Sequence, residues 1–175
     1  MIRRATEKDA AAVRAIYAPY IERTSVTFEE TVPPVAEFAK RIREYGSFAP
    51  WLVEEEEGRV RGYAYACKHR ERAAYRWSVE TSVYVAENAR RAGIGRGLYE
   101  ALLARLRAQG FCNAYAGITL PNPASVSFHE SLGFQPVGVY RKIGFKREEW
   151  HDVGWWQLAL QPEHPATPRE PSAPV

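Results

Sequence analysis

Cysteine is almost missing from this 175-residue chain: Cys67 and Cys112 are its only two, each inside an apolar stretch, so a disulfide framework is excluded and reduced core thiols are expected. Long hydrophobic runs are missing as well. No segment approaches the ~18 apolar residues of a bilayer span, and Met1-Ile2-Arg3-Arg4 turns polar at once, which argues against a membrane or targeting segment and for the cytoplasm. A surplus of one charge sign is lacking: 24 Lys+Arg against 21 Asp+Glu leave a formal net charge of +3, scattered along the chain, a poor footprint for nucleic acid. No Gly-Lys-Ser/Thr occurs, which excludes a P-loop, and no internal repeat is visible. Histidine is scarce, at four residues. His129-Glu130 meets Gly133 where a zinc-binding helix needs a second histidine, so no metal site is expected.

What is present suits one globular domain, with 46% hydrophobic, 13% aromatic and 26% charged residues. Residues 1–5 read as a short strand. Thr6, with Asp9 three places on, caps a helix carrying Val13, Ile16, Tyr17 and Tyr20, and Pro19 should kink or end it near Ala18. Residues 22–34 form a loop; Pro33-Pro34 then opens a second helix, with Val35, Phe38 and Ile42 on its apolar side, ending at Gly46. Residues 51–54 and 60–68 are strands of a hairpin joined by the acidic turn Glu55-Glu56-Glu57-Gly58. A further strand, 77–86, puts Trp77, Val79, Val83 and Val85 on one face and Ser78, Glu80, Ser82 and Tyr84 on the other. Ile94, Leu98, Leu102 and Leu106 make an amphipathic helix closed by Gly110. Strand 111–118 follows, then a helix capped by Asn122-Pro123 and ending at Gly133, then strands 137–140 and 153–160. This order predicts an α/β (α+β) chain, a mixed sheet flanked by helices over residues 1–160. From Gln161 a proline falls on every third residue with little apolar surface between, so 161–175 is expected to be a disordered, solvated tail.

The most informative segment is Arg90-Arg91-Ala92-Gly93-Ile94-Gly95-Arg96-Gly97, between the strong strand and the amphipathic helix. Glycines let backbone N–H groups approach an anion, the helix start adds its dipole, and three arginines add positive charge, a combination suited to phosphate. A dinucleotide fingerprint fails, because Leu98 stands where a third glycine is needed and no acid lies in Ala114-Tyr115-Ala116-Gly117-Ile118. Glu80 is out of place in mid-strand. Its two readings are a cross-strand ion pair with an arginine and a general base for an amine that is protonated near neutral pH.

Arg90-x-x-Gly93-x-Gly95 after Val83-Tyr84-Val85, together with Asn122-Pro123-Ala124-Ser125 and Leu132-Gly133-Phe134, resembles the acetyl-CoA motif of the GCN5-related N-acetyltransferases. Val79-Glu80-Thr81-Ser82, Phe128-His129-Glu130-Ser131, Gly144-Phe145-Lys146 and Trp150-His151-Asp152-Val153-Gly154-Trp155 are similar to the phosphinothricin N-acetyltransferase branch. The resemblance implies a mostly antiparallel sheet of the acetyltransferase fold. It also implies a homodimer that uses acetyl-CoA to acetylate the α-amine of a small amino-acid analogue such as phosphinothricin, methionine sulfoximine or methionine sulfone. Val83, Tyr84, Val85, Arg90, Arg91, Gly93, Ile94, Gly95, Arg96, Asn122 and Ser125 would then hold the cofactor, with Glu80 as base. His129 stands where the wider superfamily often has a tyrosine, and is either a proton donor to the departing thiolate or a packing residue. Phe28 and Glu29 would wall the substrate, and Arg70, Arg72 or Arg76 would bind its acidic group, Arg76 foremost because it lies four residues before Glu80. The rival readings are acetylation of a protein N-terminus or polyamine, and a non-catalytic CoA-binding module.

Overall fold

The computed structural model describes residues 1–90, 92–161 and 163–174. Seven strands form one sheet in the order β1-β2-β3-β4-β5-β7-β6, with β1 at Ile2–Arg4, β2 at Trp51–Glu56, β3 at Arg59–Lys68 and β4 at Ser78–Val85. β5 is Asn113–Leu120, β6 is Gln135–Lys146 and β7 is Glu149–Ala159. Only β4 and β5 run parallel; every other neighbouring pair is antiparallel. Four helices, α1 (Ala10–Arg23), α2 (Val35–Phe48), α3 (Ile94–Gln109) and α4 (Pro123–Glu130), flank the sheet.

Periodicity decides which face each helix covers. Leu98, Leu102 and Leu106 of α3 are fully buried against Leu52, Ala64, Ala66 and Val79, while Val13 and Ile16 of α1 and Phe38 of α2 cover Trp51, Val53 and Tyr63 on the opposite face. α1 does not stop at Pro19. It continues to Arg23 because Ile21 beyond the proline is buried and Tyr20 donates its hydroxyl to the Val85 carbonyl at 2.7 Å, contacts that offset a proline cost of about 3 kcal/mol.

The last two strands are far longer than the sequence suggests. Their hairpin turns on Arg147 (φ 56°) and Glu148 (φ 62°), a left-handed pair with no glycine to announce it. A bulge between Tyr140 and Gly144, where the Lys142 amide donates to Asp152 at 2.7 Å, interrupts the alternation of β6.

The described part of the proline-rich segment is mostly exposed and is anchored to the domain at several points. Ser172 and Gln109 exchange backbone and side-chain hydrogen bonds of 2.8 and 2.7 Å, Trp77 donates to the Arg169 carbonyl at 2.7 Å, and Arg4 donates to the Pro174 carbonyl at 2.9 Å. Backbone polar groups thus supply the anchors that its scant apolar surface does not.

Candidate active site

β4 and β5 pair only at Ser78–Glu80 against Asn113–Tyr115 and then part. Hydrogen bonds from the Ala86 amide to the Arg61 carbonyl and from the His69 amide to the Ser78 carbonyl place the even-numbered residues of β4 in the ladder with β3. The odd-numbered residues therefore aim their amides and carbonyls at β5, and past the parting those of Val83 and Val85 face an open cleft.

The cleft has a volume of about 550 Å³. Its walls bring together Val83, Tyr84, Val85, Arg90, Gly93, Ile94, Gly95, Arg96, Asn122, Ser125 and His129. Arg91 lies outside the described residues. Gly93 caps α3 with φ 75°, a left-handed conformation suited to glycine, so the first amides of that helix are left at the cleft without intrahelical acceptors. Arg90 stands over the Tyr20 ring at 5.3 Å, and Arg96 is tied to Ser131 at 2.7 Å and Glu100 at 3.3 Å. Asn122 accepts from the Ser125 amide at 3.1 Å and so fixes the start of α4. The set forms a groove of free amides leading to a cationic helix N-terminus, fit for an extended chain that ends in phosphates.

His129 is buried at the back of this cleft. Nδ1 donates to the Ser125 carbonyl at 2.8 Å, so in the neutral ring Nε2 is the acceptor for the Tyr99 hydroxyl, 3.0 Å away. Tyr99 in turn meets Thr81 Oγ1 at 2.7 Å. Burial holds the imidazole below its usual range, the Ser125 bond opposing only in part, so the ring is uncharged near neutral pH.

A second cavity of about 430 Å³ opens from the first, the two sharing Thr81, Ser82, Gly117 and Thr119. Glu80 forms part of its wall, with Phe28, Tyr140, Ile143 and Trp155 opposite. The Glu80 side chain is 29% exposed, and its Oε1 accepts from His69 Nδ1 at 3.0 Å and Arg70 at 3.2 Å. Cys67, its register partner on β3, has its thiol pushed up to about 12 by burial and by the Glu80 charge, and is therefore neutral. Lys146 is buried and reaches back to the carbonyls of Ile21 and Thr27 at 2.9 and 2.8 Å, tying the β6–β7 hairpin to the loop that carries Phe28.

Three expected substrate contacts stand elsewhere. Arg76 forms a two-pronged pair with Glu170 of the docked segment, with Nε at 2.8 Å from both carboxylate oxygens, and stacks over Trp77 at 3.8 Å. Arg76 ends the short 3₁₀ turn Ala73–Tyr75, before β4 begins, and its side chain is committed to Glu170 and not to Glu80. Glu29 is held by Arg41 at 2.7 Å, and Arg72 lies exposed at the start of a short 3₁₀ turn. Arg70 alone of the described arginines touches Glu80. Tyr140, Ile143 and Trp155 are additional to the expected site residues: Tyr140 and Trp155 fall inside expected strands that carried no site role, and Ile143 lies beyond residue 140, where its strand was expected to end. Among the described residues no cluster of His, Cys, Asp or Glu suits a metal ion, and no helix is long and apolar enough to cross a membrane.

Comparison with known proteins adds three findings. Residues 2–155 match the acetyltransferase (GNAT) domain family. The chain is 44% identical to phosphinothricin N-acetyltransferase of Streptomyces viridochromogenes over 99% of its own length and 93% of that protein, and 34% identical to L-methionine sulfoximine/L-methionine sulfone acetyltransferase of Pseudomonas paraeruginosa over 94% and 97%. The fold superposes with a TM-score of 0.92 and 37% identity on a phosphinothricin acetyltransferase from Sinorhizobium meliloti solved with acetyl-CoA, covering 97% of this chain and 93% of that one.

Proposed function

The chain belongs to the acetyltransferase (GNAT) domain family, and from that premise we propose that it moves acetyl from acetyl-CoA to the α-amine of a small amino-acid analogue such as phosphinothricin, methionine sulfoximine or methionine sulfone. The observation that carries this reading is the carboxylate of Glu80 in a cavity that opens directly into the cleft of free amides.

Acetyl-CoA, when bound, supplies an acetyl thioester. The amides of Val83 and Val85 line the groove for its extended arm and polarise the thioester carbonyl, and the free amides of α3 with Arg90 receive the pyrophosphate. Glu80 accepts one proton of the substrate ammonium, which frees the nitrogen lone pair for the carbonyl carbon. The N–C bond forms, the C–S bond breaks, and the nitrogen's second proton leaves with the sulfur. His129, neutral and engaged at both ring nitrogens, shapes the wall of the cleft. Arg70, beside Glu80, is the arginine placed to meet an acidic substrate group, and Phe28 closes the far side.

We extend the proposal to a cytoplasmic homodimer with its acetyltransferase domain at residues 1–160 and 161–175 as an appended strap. Exposed Ile143, Phe145 and Trp150 on the β6–β7 hairpin at the sheet edge, 56%, 55% and 61% accessible, support pairing with a second copy.

The test is thiol release from acetyl-CoA with the amino-acid analogues set against spermidine and a peptide N-terminus. The analogues should be the best substrates, and Glu80→Gln should keep CoA binding while losing about 10²- to 10⁴-fold in turnover. A better rate with spermidine or the peptide overturns the substrate reading, and near-normal turnover of Glu80→Gln overturns the base.

A further inference from the structure

We infer that His69 is a positioning residue for Glu80, one that reserves a single carboxylate oxygen for the substrate amine. His69 directly follows β3 and faces β4 across the sheet, with Nδ1 3.0 Å from Glu80 Oε1. Its ring is gripped on three sides: it stacks on Tyr115 at 4.7 Å and 22°, and meets Tyr75 at 5.9 Å and Trp155 at 6.0 Å edge to face. The side chain is only 16% exposed. Trp155 and Glu80 both line the substrate cavity, so the ring sits between two of its walls.

A carboxylate accepts but does not donate, so Nδ1 must carry the hydrogen toward Glu80. Arg70 donates to the same oxygen. Both donors thus fall on Oε1, and Oε2 has no protein partner among the described residues. Two consequences follow. The carboxyl plane is fixed by a ring that cannot turn, and the proton taken from the amine has one open place to go, Oε2. The groups facing the pair are Arg70 and Cys67 beside Glu80, and Tyr75, Tyr115 and Trp155 around His69; of these only Arg70 is another donor to Glu80.

The inference rests on Glu80 being the base, and its test separates the two. His69→Phe keeps a flat ring against Tyr115 and removes the donor; His69→Asn places an amide N–H near the position of Nδ1 and removes the ring. Expected for His69→Phe is a fall in kcat of roughly 10- to 100-fold, the weight of a hydrogen bond to a charged group, with the KM for acetyl-CoA unchanged. His69→Asn, which returns a donor near the position of Nδ1, should restore the rate to near wild type. Calorimetric binding of CoA checks that each variant is folded. If Glu80→Gln abolishes turnover while His69→Phe leaves the rate in place, the inference about His69 falls and the base stands. If His69→Phe is slow and Asn restores nothing, the ring is merely structural and the inference is again overturned. Full turnover of Glu80→Gln removes the base, and with it this role.

Discussion

Removing the Tyr99 hydroxyl is a clean test of what His129 does. Tyr99 is fully buried, and its hydroxyl is the sole side-chain partner of His129 Nε2, at 3.0 Å, as well as a partner of Thr81 at 2.7 Å. In Tyr99→Phe, Thr81 still has the Tyr115 carbonyl at 3.2 Å, whereas Nε2 becomes a buried acceptor with no donor. One such group costs about 1–3 kcal/mol, and for a chain of this size that lowers the melting temperature by roughly 2–12 °C. His129→Gln should cost a similar amount. Because the neutral ring has no hydrogen on Nε2 and gives its Nδ1 hydrogen to Ser125, both variants should keep kcat within about threefold of wild type. A pH series adds a second reading. The folded imidazole is held below its ordinary value, so the unfolded chain binds more protons in the window from about 6.5 down to the folded value, and stability must fall as the pH falls through it. Urea unfolding at a series of pH values should show this slope in the wild type and lose most of it in His129→Gln. An unchanged melting temperature together with a loss of 100-fold or more in kcat for His129→Gln would show that the histidine is a proton donor after all.

Gly144→Ala drives a Cβ into the ring of Phe28, which is 38% exposed and can swing outward. The amine KM should rise about 3- to 10-fold with the acetyl-CoA KM unchanged, and equal effects on both substrates would refute the placement of Phe28 in the amine pocket. Lys146→Met leaves the Ile21 and Thr27 carbonyls without their donor, so it should lower stability by about 1–3 kcal/mol in urea titrations and loosen the loop around Phe28. Truncation after Leu160 removes the bonds to Gln109 and Trp77, while the exposed Arg76–Glu170 pair contributes little. The melting temperature should fall by roughly 3–6 °C in scanning calorimetry, and an unchanged value would show that the strap holds nothing.

The parts of the site legible in the sequence are those built by local rules. Gly93 at a left-handed helix cap, the arginines around it, Asn122 as the cap of α4 and the two-residue alternation of β4 each depend on a few neighbouring residues, and the cleft contains all of the expected cofactor residues that are described. What escaped is non-local or disguised. Arg76 pairs with a carboxylate 94 residues away, and nothing near it in the chain hints at that partner. The β6–β7 hairpin turns on an arginine and a glutamate in the conformation usually left to Asn-Gly, at a strain that its long ladder with β5 and the Lys146 anchor offset, so Ile143 fell outside the expected strand and nothing marked Tyr140 and Trp155, inside theirs, as cavity residues. His69 lay in plain view within a run of charge that reads as a solvated loop. Only the register of β3 on β4, which sets Cys67 opposite Glu80 and carries the next turn of chain back over the carboxylate, converts that run into a ring clamped against the Glu80 carboxylate. The amine side of the site is therefore assembled by strand pairing, and sequence motifs mark mainly the cofactor side.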